Sequence, residues 1–181
     1  MASNTLETTM QGIGASWGPL GSELVATCKW YLEDLLQASA DEAWLSALHR
    51  EAPANRELYR DPQHGFVLLA HAEYAGLYRP PHDHGRGWVI YAVQQGEIEM
   101  RTYGRVQEPD GRVRLVQRDS TLVRPGQIQA YLPGDIHDTR CITGPALLFR
   151  FTERDLRKED REEHRVTRYV ERGGIWTTAA A

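Results

Sequence analysis

The chain has only two cysteines, Cys28 and Cys141, far apart and in no paired motif. That excludes a disulfide framework and suits a reducing, cytoplasmic compartment. No apolar run approaches the ~20 residues that a bilayer crossing needs, so no membrane partner is expected. The opening stretch MASNTLETTMQGIGASWGPL lacks both the basic and the apolar segments of a secretory leader, and none is expected. Basic charge is not in excess either: 21 Lys+Arg stand against 25 Asp+Glu, a formal net charge of −4. A nucleic-acid partner, which calls for a basic domain or stripe, is therefore not expected. There is no internal repeat and no low-complexity linker.

The remaining composition is ordinary. The 181 residues are 41% hydrophobic and 25% charged, which excludes disorder and suits one domain with a real core. Residues 1–21 are small, polar and glycine-bearing, and read as a mobile leader. Residues 22–56 read as helical. Leu24, Val25, Cys28, Tyr31, Leu32, Leu35 and Leu36 recur at helical spacing behind Ser22, a plausible N-cap. A second helix is expected from Ser39 or Asp41, with Pro53 at its end.

From residue 57 to 152 the texture is that of a β domain. Short runs rich in Val, Leu, Ile, Tyr and Phe are each closed by Gly, Pro or Asp: Phe66–Ala72, Gly87–Val93, Glu97–Tyr103, Arg112–Gln117, Thr121–Val123, Gln127–Leu132, Asp138–Ile142 and Ala146–Thr152. Strands at such regular spacing indicate a sandwich, jelly roll or barrel. Residues 153–181 are dense in charge, while Val166, Tyr169 and Val170 suggest a tail with one face packed on the domain.

The chemistry concentrates in two places. In Pro80-Pro81-His82-Asp83-His84-Gly85, residues i and i+2 of a strand share a face, so His82 and His84 should project together. In Leu132-Pro133-Gly134-Asp135-Ile136-His137, a Pro-Gly turn should deliver a third histidine onto a later strand. Three neutral imidazoles on neighbouring strands can hold Fe(II), Ni(II), Cu(II) or Zn(II) and leave positions open for a substrate and O₂. The other histidines, His49, His64, His71 and His164, have no partner spacing, and His71 on its strand is the one expected nearest the site. Cys141 reads as a buried small hydrophobe.

These motifs resemble the cupin superfamily. Its first motif has H-x-H, then a glutamate and a glycine, matched here by His82-Asp83-His84, Val89 and Gly96. Its second has a glycine and then P-x-G-x-x-H, matched by Gly126 and by Pro133-Gly134-Asp135-Ile136-His137, with the proline one residue late. The resemblance implies a mainly β fold, a double-stranded β-helix or jelly-roll barrel with N-terminal α-helices, and His82, His84 and His137 as metal ligands. Val89 in place of the glutamate implies a three-histidine site.

That pattern, with the HDH core and the helical lead, resembles the cysteine dioxygenase-like thiol dioxygenases, which use mononuclear non-haem Fe(II) to add O₂ to a thiol. Two departures stand out. Val89 stands where family members carry a crosslinking cysteine or a glycine, so no crosslink forms from it. The family's Ser-x-His-x-Tyr triad corresponds to Leu147, Phe149 and Phe151.

Substrate contacts are expected from few residues. Arg60, in Tyr59-Arg60-Asp61, sits where cysteine-oxidising members hold the substrate carboxylate, and the guanidinium fork suits that task. The alternative for Arg60 is a surface pair with Asp61. Arg150, between two phenylalanines, is the second candidate anchor, and alternation alone leaves open which face it takes. Tyr91 completes the catalytic candidates. Trp88, Tyr103, Arg86 and Val89 are candidates for the pocket wall.

The expected activity is thus an Fe(II) dioxygenase acting on a small thiol-containing acid or similar anion. A non-redox lyase or isomerase using Zn(II) or Ni(II), and a small-molecule-binding cupin, are the alternatives. Exposed sheet edges would allow a homodimer.

Overall fold

A computed structural model describes residues 4–178. The first and last three residues of the expected leader and tail lie outside the described residues. Three helices come first: α1 (Thr5–Ala15), α2 (Ser22–Leu36) and α3 (Ala43–Glu51).

α1 corrects the expectation of a mobile leader. Asn4 caps it, its side chain accepting from the Glu7 backbone N–H, and Met10 and Ile13 are fully buried one helical turn apart. Glu42, just ahead of α3, accepts hydrogen bonds from the Thr5 backbone N–H and from Trp44 Nε1, which ties α1 to α3. α2 follows the expected stripe, burying Leu24, Cys28, Leu32, Leu35 and Leu36, but its N-cap is Gly21 rather than Ser22. α3 starts a few residues later than expected, after the turn in which Ser39 Oγ accepts from the Asp41 N–H.

The β domain contains β1 (Arg56–Arg60), β2 (Val67–Glu73), β3 (Tyr78–His82), β4 (Val89–Gln107), β5 (Val113–Val123), β6 (Ile128–Tyr131) and β7 (Ile136–Thr152). Several runs expected as separate strands are halves of longer ones. β4 joins two of them, β5 two and β7 two. Both β4 and β7 bend and serve two sheets. The first half of β4 pairs with β6 and with the second half of β7, which continues to β2 and β1. The second half of β4 pairs with β5 and with the first half of β7, which continues to β3. All pairings are antiparallel, and the two sheets close face to face as a jelly-roll barrel.

The bend explains the broken pattern. Register shifts cluster between Val93 and Ile98, opposite the stretch between Thr143 and Leu147. Gly96 sits at the corner with φ of 79°, and a Cβ there would lie 2.6 Å from both the Thr143 carbonyl oxygen and the Ala146 side chain. Neither the backbone angle nor the space admits a side chain.

Each strand near the helices carries two cores. Leu68, Ala70, Ile90, Ala92, Phe149 and Phe151 face outward against the helices, with Trp88 in the same layer. Val89, Tyr91, Val93 and Leu148 face inward, joined past the corner by Ile98, Met100 and Cys141. Burying each of the larger side chains stabilises the fold by about 1.5–3 kcal/mol.

The tail is ordered across residues 153–178. It makes a single π-helical turn, Lys158–Glu162, and then a hairpin of β8 (Tyr169–Arg172) and β9 (Ile175–Thr178). No helix among the described residues is long and apolar enough to cross a membrane.

Gly96→Ala should destabilise the protein by about 2 kcal/mol or more, through left-handed strain and the clash with β7. Urea unfolding of the variant beside the parent measures it, and an unchanged midpoint would contradict this account of the corner.

Candidate metal centre and cavity

β3 and β7 run antiparallel with His82 directly opposite His137 in register. β3 is an edge strand that carries Pro80 and Pro81, as an edge tolerates. The chain leaves β3 at His82, and the following loop turns His84 back beside it. The three rings stand with centroids 4.9–5.1 Å apart. Their ligand nitrogens all lie within 4.8 Å of one another, and Nε2 of His84 is 3.5 Å from Nε2 of His137. Two imidazole nitrogens sharing one ion at about 2.1 Å would stand about that far apart.

The donor set fits a metal ion. Pro80 C=O accepts from His82 Nδ1 at 2.9 Å, which leaves Nε2 of that ring bare. His84 and His137 are buried, their Nδ1 atoms are without partners, and their Nε2 atoms face each other. Burial, and then the neighbouring histidines and Arg150, hold both well below the usual histidine range. Burial likewise lowers His82. The rings are therefore neutral and able to donate lone pairs at neutral pH.

His137 is held from behind. The Tyr131 ring stacks on it at 3.9 Å, and Tyr91 lies 5.3 Å away. The next residue, Asp138, is fully buried and saturated with donors. It accepts from Tyr78 Oη (2.9 Å), Tyr103 Oη (2.6 Å), Arg101 Nε (3.1 Å) and Arg101 NH2 (2.8 Å). A carboxylate so bonded joins β3, β4 and β7 at the level of the ligands. The sequence reading passed over Asp138, Tyr78 and Tyr131, because a lone aspartate after a histidine carries no spacing signal of its own.

His82 and His84 open onto a cavity of about 560 Å³, with His137 fully buried behind them. Of the expected contacts, Arg150 and Tyr91 line it. They are direct partners across the β4–β7 ladder and share the inward face, which answers the question that alternation left open. Burial raises Tyr91 above the usual phenol range, and Arg150 opposes that rise. Leu147, Phe149 and Phe151 belong to or flank the helix-facing layer, so their apolar character follows from where they are buried.

The other expected contacts lie elsewhere. Arg60 is bonded by Glu57 (2.7 Å) and Asp155 (2.9 Å) and lines a smaller adjoining cavity of about 200 Å³, which shares Arg150, Leu156 and Arg157 with the first. Asp61, its expected surface partner, instead accepts from the backbone N–H groups of Gln63 and His64. Trp88 belongs to the helix-facing core, within ring contact of Trp17 and Phe151. Val89 is fully buried in the inward core, and Tyr103 is engaged by Asp138. Arg86 points to the tail, pairing with Glu159 at 2.9 Å and with Glu163.

The tail forms one wall of the cavity, with Leu156, Val166, Arg168 and Tyr169 among its lining residues. It is clasped to the ligand loop. Asp83 accepts from the Thr167 backbone N–H at 2.8 Å, and the Asp83 N–H donates to Thr167 C=O. Gly85, at φ 62°, makes room for Glu159, whose Oε2 would lie 2.8 Å from a Cβ there. The other walls bring Arg79, paired with Glu73 at 3.0 Å, and the expected His71. Arg168 is held by a bidentate pair with Asp160. Arg150 has no carboxylate partner among the described residues, and its Nε is buried and unpaired.

No family model matches the chain, and no curated protein does. Among solved structures, a Bacillus halodurans protein is similar at 13% identity and TM-score 0.47, over 59% of this chain and 74% of that one. The cupin domain of Schizosaccharomyces pombe Cnp3 is similar at 14% and 0.44, over 60% and 69%. KdgF from a Halomonas species is similar at 16% and 0.44, over 54% and 74%. These are distant likenesses of fold alone.

Replacing His82, His84 or His137 singly by alanine should lower bound metal from about one equivalent to below about a tenth. Elemental analysis after loading and desalting reads this, and retention in all three variants would remove the site. A second expectation concerns pH. Histidines in the unfolded chain titrate near 6.5, whereas burial, Arg150 and Arg79 hold His71 down at about 3. His84 and His137 are likewise depressed. Below pH 6.5 the unfolded state therefore binds protons that the folded state refuses. Stability is complete above about pH 7 and falls with acid, by up to about 1.4 kcal/mol per pH unit for each such histidine. Urea unfolding of metal-free protein between about pH 7 and pH 5 tests it, and a flat profile would contradict it.

Proposed function

We propose that this protein is a mononuclear non-haem Fe(II) dioxygenase of the thiol dioxygenase kind, acting on a small thiol-bearing carboxylic acid. One observation carries the reading: three neutral imidazoles with no carboxylate among them converge beside a cavity that also holds Arg150, a guanidinium with no carboxylate partner among the described residues and with its Nε unpaired. A neutral ligand set leaves a bound divalent ion its full charge, which favours an anionic sulfur donor. Fe(II) so held would supply the one-electron chemistry that O₂ needs to react with a closed-shell substrate.

The overall reaction is balanced without a further reductant. The thiol loses its proton, both oxygen atoms end on sulfur, and four electrons pass from sulfur to O₂ to give a sulfinate. In this reading the chain's own residues bind and orient. Arg150 takes the substrate carboxylate, and its fork accommodates both oxygens. Tyr91, beside it, offers a hydroxyl that burial keeps protonated, a donor toward the same substrate. Tyr131 and the Pro80 carbonyl fix the rings of His137 and His82. Leu156, Val166 and Tyr169 of the tail wall keep water from the reacting sulfur.

A second reading has one specific support. A protonated, buried tyrosine facing a metal-binding cavity is also what a Lewis-acid lyase or isomerase would use as a proton donor. The two readings part over O₂.

Fe(II)-loaded protein should consume one O₂ per sulfinate formed with at least one small thiol acid, and His137→Ala should abolish uptake. Arg150→Met should raise KM at least tenfold for thiols bearing a carboxylate and leave neutral thiols unchanged, as loss of a charge-assisted pair requires. No uptake across thiols and diketones at full metal content would overturn the dioxygenase, and a Tyr91-dependent, O₂-independent conversion would establish the second reading.

A further inference from the structure

His71 lines the cavity and is not one of the three clustered metal-ligand histidines. It lies on β2, opposite Leu148 on β7, while Leu69 lies opposite Arg150. His71 and Arg150 are therefore diagonal neighbours on the inward face of the same sheet, and Tyr91 flanks Arg150 from the other side. All three line the cavity. His71 is only 7% exposed, and its Nδ1 lies 3.0 Å from Ala54 C=O, which can only accept. Nδ1 thus carries the proton, and Nε2 is a lone-pair acceptor. That Nε2 is buried with no partner, and so is the Nε of Arg150. A buried acceptor and a buried donor, both unsatisfied and side by side at one cavity, constitute an unfilled recognition pair.

We infer that His71 and Arg150 form a subsite for a carboxylic acid that carries a second, hydrogen-donating group: Arg150 binds the carboxylate and His71 Nε2 accepts the O–H or N–H. For the substrate this adds a hydroxyl or amino donor to the thiol acid proposed above, and it rests on that reading only for the reacting sulfur. Burial, and then the neighbouring Arg150, keeps His71 neutral, so it discriminates by accepting rather than by charge. An acid lacking the donor would leave Nε2 buried and unpaired, which is where selectivity arises. His71 is a specificity residue in this account, and it touches no metal.

The test is ligand affinity by calorimetry on the full-length protein, as purified and again after chelator treatment, with propionate, lactate and alanine as probes. Lactate or alanine should bind about tenfold more tightly than propionate, the ratio given by one satisfied hydrogen bond of about 1.4 kcal/mol. His71→Leu should erase that ratio while leaving propionate unchanged, His71→Gln should keep part of it, and Arg150→Met should weaken all the acids together. Circular dichroism verifies the fold of each variant, and His71→Gln carries the comparison if His71→Leu unfolds. A ratio near one in the parent, a ratio unaltered by His71→Leu, or a ratio that chelation removes would each overturn the inference. The last outcome would assign the preference to chelation by the ion. Absent O₂ uptake with the ratio intact would sink only the dioxygenase, and uptake without the ratio only the subsite.

Discussion

The site depends on one register. Because His82 faces His137 across β3 and β7, two ligands from distant parts of the chain are set by backbone hydrogen bonds rather than by loop conformation. A slip of one residue would send one of them to the opposite face. Asp138 guards against that slip, since its donors come from Tyr78 on β3 and from Arg101 and Tyr103 on β4. A buried carboxylate with that many charge-assisted and hydroxyl donors has no comparable alternative position. Only His84 sits on a loop, and there the tail supplies the constraint that the sheet does not.

The metal ligands were legible in the sequence because H-x-H and the Pro-Gly-x-x-His turn are local patterns. α2 was legible for the same reason, since its buried stripe recurs at helical spacing. α1 was not, although Asn4 followed by Glu7 is a helix-start signature, because glycine and small polar residues dilute the stripe of Met10 and Ile13. The strand expected to carry both His82 and His84 ends at His82, and its run from Tyr78 went unread because two prolines, which only an edge strand tolerates, suppress the strand signal. β4 and β7 were read as broken because the corner at Gly96 and at Gly144–Pro145 looks like a pair of turns when tertiary pairing is out of view.

The substrate side was less legible, for a definite physical reason. Leu147 to Phe151 is buried on both faces of its strand, so hydrophobicity does not tell the helix side from the barrel side. Arg150 was a candidate on residue type, and only the pairing with Tyr91 sets its direction. Arg60 drew attention by sequence position, but Glu57 and Asp155 already occupy its fork. His71 had no neighbour in sequence to mark it. Its neighbours are an arginine on another strand and a carbonyl on another segment.

The clasp between Asp83 and Thr167 joins the tail to the loop that separates two of the three histidines. Whatever orders that loop, including an ion held by His82 and His84, also orders the tail, and by reciprocity a docked tail raises the affinity for the ion by the same factor. The wall of the cavity and the occupancy of its floor are thus one equilibrium. A chain shortened before residue 167 would be a poor metal binder even though every histidine ligand remained in place.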